Sequence, residues 1–244
     1  MIYKLNLGGE TKVNVDMSSE KVAGNVSALK LPIEGYKKLK KVYIPYKFFK
    51  RITDIILSFI LLIGLFPAFA IISLAIKLES KGPILFKHTR IGKDGKIIKI
   101  YKFRSMVENA EDLIQKFTPE QMKEYEENYK LSDDPRITKV GKFLRKTSLD
   151  ELPQLINILK GDLSIVGPRP VVANELKKYG TNIKKFLSVT PGLTGYWAAN
   201  GRSCTSYEQR MQMELFYIDN LSFKLDVKVF FKSIGAVLNR KGAV

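Results

Sequence analysis

The chain has 244 residues and 45% of them are apolar, which fits one domain with appendages and excludes wholesale disorder. Its formal charge of +17 predicts an anionic partner: nucleic acid, anionic lipid headgroups or phosphorylated small molecules. Cys204 is the only cysteine and His88 the only histidine, so an internal disulfide and a multi-histidine zinc site are excluded. Any chemistry is therefore expected from carboxylates, Arg, Lys, Tyr, Ser and a hard metal ion.

Residues 1–36 contain no continuous apolar run, so we expect an extension without a signal peptide and with a strand at Tyr3 to Leu7. In the next region, residues 37–82, the run from Ile55 to Ile76 carries no charge. As a helix it would be about 33 Å long, enough to cross a hydrocarbon core of about 30 Å. Length alone therefore favours an ordinary transmembrane helix.

Two features of the same region favour a helix that enters the membrane and returns. Pro67 lies near the middle of the run, where it removes a backbone hydrogen bond and bends a helix. Lysines and arginines flank the run on both sides, and positive charge marks the cytoplasmic side of a membrane segment. We therefore predict a re-entrant helix-break-helix with its break at Pro67 and both ends cytoplasmic.

Residues 83–244 are predicted to form a cytosolic domain that begins with a β-hairpin. The segments from Pro83 to Ile91 and from Lys96 to Phe103 alternate apolar and polar residues around Asp94-Gly95, a typical hairpin turn. A helix is predicted from Met106 to Phe117. Another starts at Thr118 with a capping box, because Pro119 and Gln121 follow at the favoured positions.

The rest of this domain is predicted to be mostly helical, which gives an α+β fold. Its expected elements are a helix from Leu149 to Leu159 closed by Lys160 and Gly161, a rigid turn at Gly167-Pro168-Arg169-Pro170, a helix from Asn174 to Tyr179, a loop from Pro191 to Gly195, and one or two helices between Tyr207 and Leu238. Apolar residues recur at helical spacing among lysines in the last segment. This stripe fits either core packing or an amphipathic helix that rests on the bilayer.

The densest polar cluster contains the adjacent carboxylates Asp150 and Glu151. Such a pair can divide its work between a nucleophile and a ligand for Mg²⁺, which prefers one or two carboxylates plus substrate phosphates. Ser148 and Glu151 also have the spacing of a capping box, and acidic residues favour helix starts. Pro153 argues against Ser148 as the cap but allows Asp150 in that role. The residues alone leave a helix cap and a catalytic pair equally open.

A family resemblance favours the catalytic pair. The run SLDELPQLINILKGDLSIVGPRP, with DPRITKVGKFLRKT before it and RIGKDGKIIKIYKFRSM upstream, resembles the bacterial sugar transferases called monotopic phosphoglycosyl transferases. The similarity extends from about Phe48 to the carboxyl terminus. It implies transfer of sugar-1-phosphate from a UDP-sugar to polyprenol (undecaprenyl) phosphate, with UMP released. It also implies an enzyme on the cytoplasmic face of the bacterial plasma membrane, in exopolysaccharide or capsule assembly.

The resemblance also implies roles for individual residues. Asp150 matches the nucleophile that carries the phosphosugar, and Glu151 matches the ligand of Mg²⁺, for which Mn²⁺ can substitute. Arg145 and Arg169 match arginines that hold substrate phosphates, with Pro168 and Pro170 fixing Arg169. Arg104 and Arg90 fall in recurring motifs and are expected to bind substrate, with surface or lipid contact as the alternative. Those matching the membrane segment are Lys50, Asp54 and Pro67; Lys50 and Asp54 have the spacing of an i, i+4 ion pair as well.

Three departures from the family pattern bear on which sugar is used: the run Ala198-Ala199-Asn200-Gly201-Arg202 after Trp197, Glu214 where Asp is usual, and His88 where Gln is common. The Gly-Tyr-Trp run resembles glucose- or galactose-phosphate transferases, while an N-acetylated sugar is the alternative. A non-catalytic basic membrane adaptor is the rival class. Nucleic acid is not expected as a partner, because the apolar run is better explained by a membrane. A homo-oligomer is left open.

Overall fold

The computed structural model describes residues 2–5, 13–16, 44–128, 131, 133–201 and 205–238. Two short strands near the amino terminus pair with each other in antiparallel fashion, β1 (Ile2–Leu5) and β2 (Val13–Asp16). The first of them overlaps the strand expected at Tyr3 to Leu7. The departure at Arg202 lies outside the described residues.

The apolar region forms two helices, α1 (Ile44–Gly64) and α2 (Phe66–Glu79), which meet at an angle of 62°. Within the described residues, no unbroken helix has the length and apolar character needed to cross a membrane, although this bent pair meets both criteria together. We had expected the break at Pro67, but it lies two residues earlier, at Leu65. Pro67 instead lies in the first turn of α2, where proline is tolerated because those backbone N–H groups have no partner in their own helix.

The predicted hairpin is confirmed. Strands β3 (Leu85–Ile91) and β4 (Ile97–Phe103) pair antiparallel along their whole length. The turn places Asp94 at a φ of 55° and Gly95 at a φ of 78°, the left-handed region that Asp tolerates and Gly favours. The capping box at Thr118 also forms, since its hydroxyl accepts from Gln121 N and its own N–H donates to the Gln121 side chain. It opens α3 (Pro119–Asn128).

The helix predicted from Met106 to Phe117 is largely wrong. Only a 3₁₀ helix over Asp112–Lys116 forms there. The reason is that the start of the segment pairs with a distant loop: Val107 N–H donates to Arg136 O, and Met106 forms an antiparallel bridge with Ile137. Backbone groups used in this way are not available for a helix.

The centre of the domain holds α4 (Lys139–Thr147), a 3₁₀ turn (Leu149–Glu151) and α5 (Gln154–Lys160). The helix predicted from Leu149 to Leu159 is thus interrupted before Gln154, and it ends as predicted at Gly161, which has a φ of 88°. The expected loop after Pro191 contains a strand, β6 (Gly192–Thr194), that pairs parallel with β5 (Ser164–Val166). Short strands of this kind depend on a distant partner, which local sequence does not reveal.

The remaining regular elements are helical, which confirms a mostly helical α+β fold. They form α6 (Ala173–Leu176), a 3₁₀ helix (Lys177–Asn182), α7 (Ile183–Leu187), α8 (Tyr196–Asn200), α9 (Tyr207–Asp219) and α10 (Phe223–Leu238). The main core lies between these helices, α5 and the strands, and α1 packs against it through Leu57, Leu61 and Leu62. In the carboxyl-terminal stripe Ile218 packs in the core, whereas Phe231 and Ile234 are exposed, and their contact with a bilayer stays a prediction.

Candidate active site

The two carboxylates of the polar cluster lie on the 3₁₀ turn between α4 and α5. Ser148 ends α4 in the left-handed region, at a φ of 58°, and its side chain caps neither neighbouring helix. Helix α5 begins after Pro153 without a side-chain cap. The capping interpretation of Asp150 and Glu151 is therefore wrong, and their side chains are available for other contacts.

Lys102 of β4 contacts both carboxylates. Its Nζ lies 2.7 Å from Glu151 Oε1 and 3.5 Å from Asp150 Oδ2. Sequence reasoning did not single out this residue. The alternation of β4 carried a signal, because Lys102 shares a face with the buried residues Ile98 and Ile100, where a lysine needs a partner.

The protonation of Asp150 is set by opposing influences. Its side chain is buried, with 7% of the residue exposed. Burial raises the pKa of Asp150, as does the charge of Glu151, whereas Lys102 and Arg145 lower it. Arg145 projects from α4 and its Nε donates to Ser105 Oγ at 2.9 Å. Burial lowers the pKa of Arg145, while the charges of Asp150 and Asp134 raise it. Lys102 and Arg145 thus favour the ionised form that a nucleophile requires.

The turn from Gly167 to Pro170 presents Arg169 in the predicted manner. Pro168 and Pro170 are buried and the residue between them is exposed. The Arg169 backbone N–H donates to Glu214 Oε1 at 3.0 Å, and its guanidinium lies 5.9 Å from the centre of the Trp197 ring. The two prolines fix the backbone on either side, so the direction in which the Arg169 side chain leaves the turn is well defined.

Arg90 is held by His88 and lies within electrostatic range of Arg169. Arg90 Nη1 donates to His88 Nε2 at 2.7 Å. Burial, with repulsion from Arg169 as the next cause, lowers the pKa of Arg90 to about 10. Burial also lowers the pKa of His88 to about 3, supported by the charges of Arg90 and Lys102, so the imidazole is neutral and accepts from Arg90. The charges of Arg90 and Arg169 thus act on each other, and guanidinium groups are well suited to bind phosphate oxygens.

Arg104 occupies a different place. It is buried, and its guanidinium donates to the carbonyl oxygens of Lys81 and Ser80, each at 2.7 Å, and to Ser80 Oγ at 2.9 Å. These contacts tie the end of α2 to the end of β4. Its assignment to substrate binding stays a prediction.

Lys50 and Asp54 do not form the i, i+4 ion pair that their spacing suggested. Lys50 Nζ contacts Asp226 Oδ2 at 2.8 Å, and Asp54 Oδ1 accepts from Ile165 N at 2.9 Å. Asp226 also accepts from the hydroxyls of Tyr46 and Tyr217, at 2.8 and 2.6 Å. Distant partners thus offer each side chain a more buried contact than its neighbour on α1, and these contacts connect α1 to α10 and β5.

The residues fit a magnesium ion only in combination with a substrate. Among the described residues, no group of three or more His, Cys, Asp or Glu side chains could hold a metal. Mg²⁺ does not require such a cage, because one or two carboxylates plus substrate phosphates suffice. The adjacent carboxylates of Asp150 and Glu151 meet that requirement. Lys102, which contacts both, supplies positive charge at the same place.

A match to the bacterial sugar transferase family covers residues 45–240. The chain belongs to this family. It is 42% identical over 200 residues to the undecaprenyl-phosphate galactose phosphotransferase of Salmonella typhimurium, a match that covers 81% of this chain and 42% of the relative. It is 43% identical over 197 residues to the exopolysaccharide production protein ExoY of Sinorhizobium fredii, covering 80% of this chain and 87% of the relative.

A third relative is the UDP-glucose:undecaprenyl-phosphate glucose-1-phosphate transferase of Escherichia coli, which is 40% identical over 195 residues, covering 76% of this chain and 39% of the relative. The chain thus spans about two fifths of the length of the Salmonella and Escherichia relatives and most of the Sinorhizobium protein. The family resemblance of the sequence is confirmed.

Proposed function

We propose that the chain transfers a hexose-1-phosphate from a UDP-sugar, UDP-galactose or UDP-glucose, to undecaprenyl phosphate. The observation that supports this most directly is the buried carboxylate of Asp150, which lies beside Glu151 and within 3.5 Å of Lys102 Nζ. The galactose and glucose substrates and the lipid acceptor are those after which the Salmonella and Escherichia relatives are named.

In the proposed mechanism, a carboxylate oxygen of Asp150 attacks the β-phosphorus of the UDP-sugar. The bond from that phosphorus to the oxygen shared with the α-phosphate breaks, and UMP leaves with that oxygen. An oxygen of undecaprenyl phosphate then attacks the same phosphorus, the bond to Asp150 breaks, and the diphosphate product forms. The carboxylate is regenerated, so atoms and charge balance over the two steps.

The surrounding side chains have matching roles in this proposal. Lys102 and Arg145 favour the ionised form of Asp150, since both oppose the rise of its pKa that burial causes. Arg169 and Arg90 hold phosphate oxygens, and their charge offsets the charge that moves to the leaving group. Glu151, with Asp150, would hold Mg²⁺, which supplies further neutralisation of the phosphates.

We further propose that the bent pair of α1 and α2 enters one leaflet and returns, with the enzyme on the cytoplasmic face of the membrane. The pair exposes many large apolar side chains, among them Phe66 at 71% and Leu78 at 79%. Exposed apolar surface of this extent marks a membrane or protein contact. Helix α10 adds Phe223, Val227, Phe231 and Ile234 to the exposed apolar set, and its lysines suit anionic headgroups.

The test of the reaction is Asp150→Asn in detergent-solubilised protein supplied with UDP-galactose, UDP-glucose, undecaprenyl phosphate and Mg²⁺. We expect the wild type to release UMP and to gain the mass of one hexose phosphate when the lipid acceptor is omitted. The variant should do neither, because an amide is not a nucleophile of this kind. Asp133→Asn, a fully exposed change nearby, is the matched control.

Two outcomes would contradict the proposal. A folded Asp150→Asn protein with more than a few per cent of wild-type turnover would remove Asp150 from the nucleophilic role. Unchanged turnover in excess chelator would exclude a metal ion from the mechanism. A non-catalytic adaptor, the rival class, predicts that neither protein releases UMP from any UDP-sugar.

A further inference from the structure

Glu214 of α9 is a buried acid outside the carboxylate pair. None of the residue is exposed, and its Oε1 accepts the Arg169 backbone N–H at 3.0 Å. Its other oxygen, Oε2, is buried and has no hydrogen-bond partner among the described residues. A buried polar atom without a hydrogen-bond partner destabilises the fold, so an acid in this position calls for a functional explanation.

The backbone contact of Glu214 is decisive for the turn that carries Arg169. Pro168 and Pro170 have no N–H group, so the Arg169 N–H is the one donor in this three-residue run. The flanking backbone is anchored to β6, since Gly167 N donates to Thr194 O and Gly192 N donates to Pro168 O. Glu214 supplies the remaining anchor, at the residue whose side chain faces outwards.

Burial raises the pKa of Glu214 to about 7, while the Arg169 N–H and the charges of Arg210 and Arg169 act against that rise. The ionised form makes the stronger bond, because a carboxylate is a better acceptor than a carboxylic acid. The other titratable groups whose field reaches Glu214 are the hydroxyls of Tyr179 and Tyr207. Both have raised pKa values and stay neutral near pH 7.

We propose that Glu214 is a positioning residue for Arg169: its ionised carboxylate fixes the turn so that the guanidinium meets a substrate phosphate. The proposal rests on the proposed function, in which Arg169 binds that phosphate. Glu214 touches no substrate in this scheme and acts only through Arg169.

The test measures the dissociation constant of UDP by calorimetry, so that it does not depend on turnover. The proteins are the wild type, Glu214→Ala, Glu214→Gln, Arg169→Ala and the double variant Glu214→Ala/Arg169→Ala. We expect Glu214→Ala to weaken UDP binding about tenfold, the effect of losing a hydrogen bond to a charged group. In the Arg169→Ala background the same change should have no further effect.

Glu214→Gln keeps the shape and an acceptor oxygen but cannot ionise, which guards against a folding defect in the alanine variant. The ratio of its dissociation constant to that of the wild type should be larger at pH 8 than at pH 6, because Glu214 ionises between them. Ionisation of UDP itself cancels in this ratio. Glu208→Gln, an exposed change on the same helix, is the control and should give a ratio that is flat with pH.

Equal weakening by Glu214→Ala in both backgrounds would overturn the positioning role, as would a pH-independent ratio for Glu214→Gln. Failure of the proposed function gives a different result: the wild type binds UDP, and the Glu214 effects appear, but no UMP is released from UDP-sugars. A wild type without affinity for UDP would overturn both proposals.

Discussion

Replacing Lys102 by Met tests whether this lysine keeps the proposed nucleophile ionised. Two unit charges at the 3.5 Å that separates Lys102 Nζ from Asp150 Oδ2 attract by about 1 kcal/mol in bulk water and about 5 kcal/mol at an effective permittivity of about 20. Since 23% of the lysine side chain is exposed, we expect a net effect of about 1–3 kcal/mol. That corresponds to a loss of about fivefold to about 150-fold in kcat/KM.

The pH profile gives the sharper result. Lys102 lowers the pKa of Asp150, so its removal raises that pKa, and a smaller fraction of Asp150 is ionised at any given pH. The acid limb of kcat/KM for the UDP-sugar should therefore move to higher pH, measured by UMP release from pH 5.5 to 8.5. Lys99→Met, an exposed change on the opposite face of β4, should leave the profile in place. A Lys102→Met profile that overlays the wild type in both rate and pH would refute this role for Lys102.

Three further changes test the turn, the histidine and the membrane helices. Gly167→Ala should lower the free energy of unfolding by about 1–3 kcal/mol in chemical denaturation and weaken UDP binding, because its Cβ would lie 2.6 Å from Thr190 O and 2.7 Å from Gly192 N. Gly235→Ala, whose Cβ meets nothing within 4 Å, is the control, and equal stability of the two variants would contradict the predicted clash. His88→Gln should gain stability relative to the wild type as the pH falls below 6.5, because the folded-state pKa of His88 is lowered to about 3 and only the unfolded wild-type chain takes up the proton. A difference in unfolding free energy between the two proteins that stays constant from pH 7.5 to 5 would argue against this. Pro67→Leu restores a backbone N–H that could donate to Ile63 O across the break at Leu65 and removes the proline ring from that place, so part of the population should straighten and cross the membrane. A reporter cysteine at Ser27 in a Cys204→Ser background should then be labelled from outside only in the variant, and equal labelling of the wild type would show that the segment already spans.

Local sequence was sufficient where the signal and its structural result lie within a few residues of each other. The Asp94-Gly95 turn, the capping box at Thr118 and the left-handed Gly161 are all confirmed. In each case the backbone preference or side-chain bond involves residues at most four positions apart. The presence of a break in the apolar run was predicted for the same reason, although the predicted position, Pro67, lies two residues after the observed one, Leu65.

The errors have a common physical cause, which is competition from distant partners. The helix expected at Met106 is replaced by pairing with Arg136 and Ile137, and the loop expected after Pro191 pairs with β5. Lys50 contacts Asp226 rather than Asp54. A contact with a remote residue cannot be found from local spacing, and it prevails when it satisfies backbone groups or charges that would otherwise be buried without a partner.

The sequence by itself determined the family, the mostly helical α+β class and the positions of the carboxylate pair and of Arg169 between two prolines. Only the tertiary structure decided between a helix cap and a pair in contact with Lys102 for Asp150 and Glu151, and only it brought Glu214 to Arg169. Lys102 lies 49 residues before Glu151, and Glu214 lies 45 residues after Arg169. Charge and burial at the site arise from chain segments that meet only on folding, so the pKa values of Asp150 and Glu214 are properties of the fold and not of the motif.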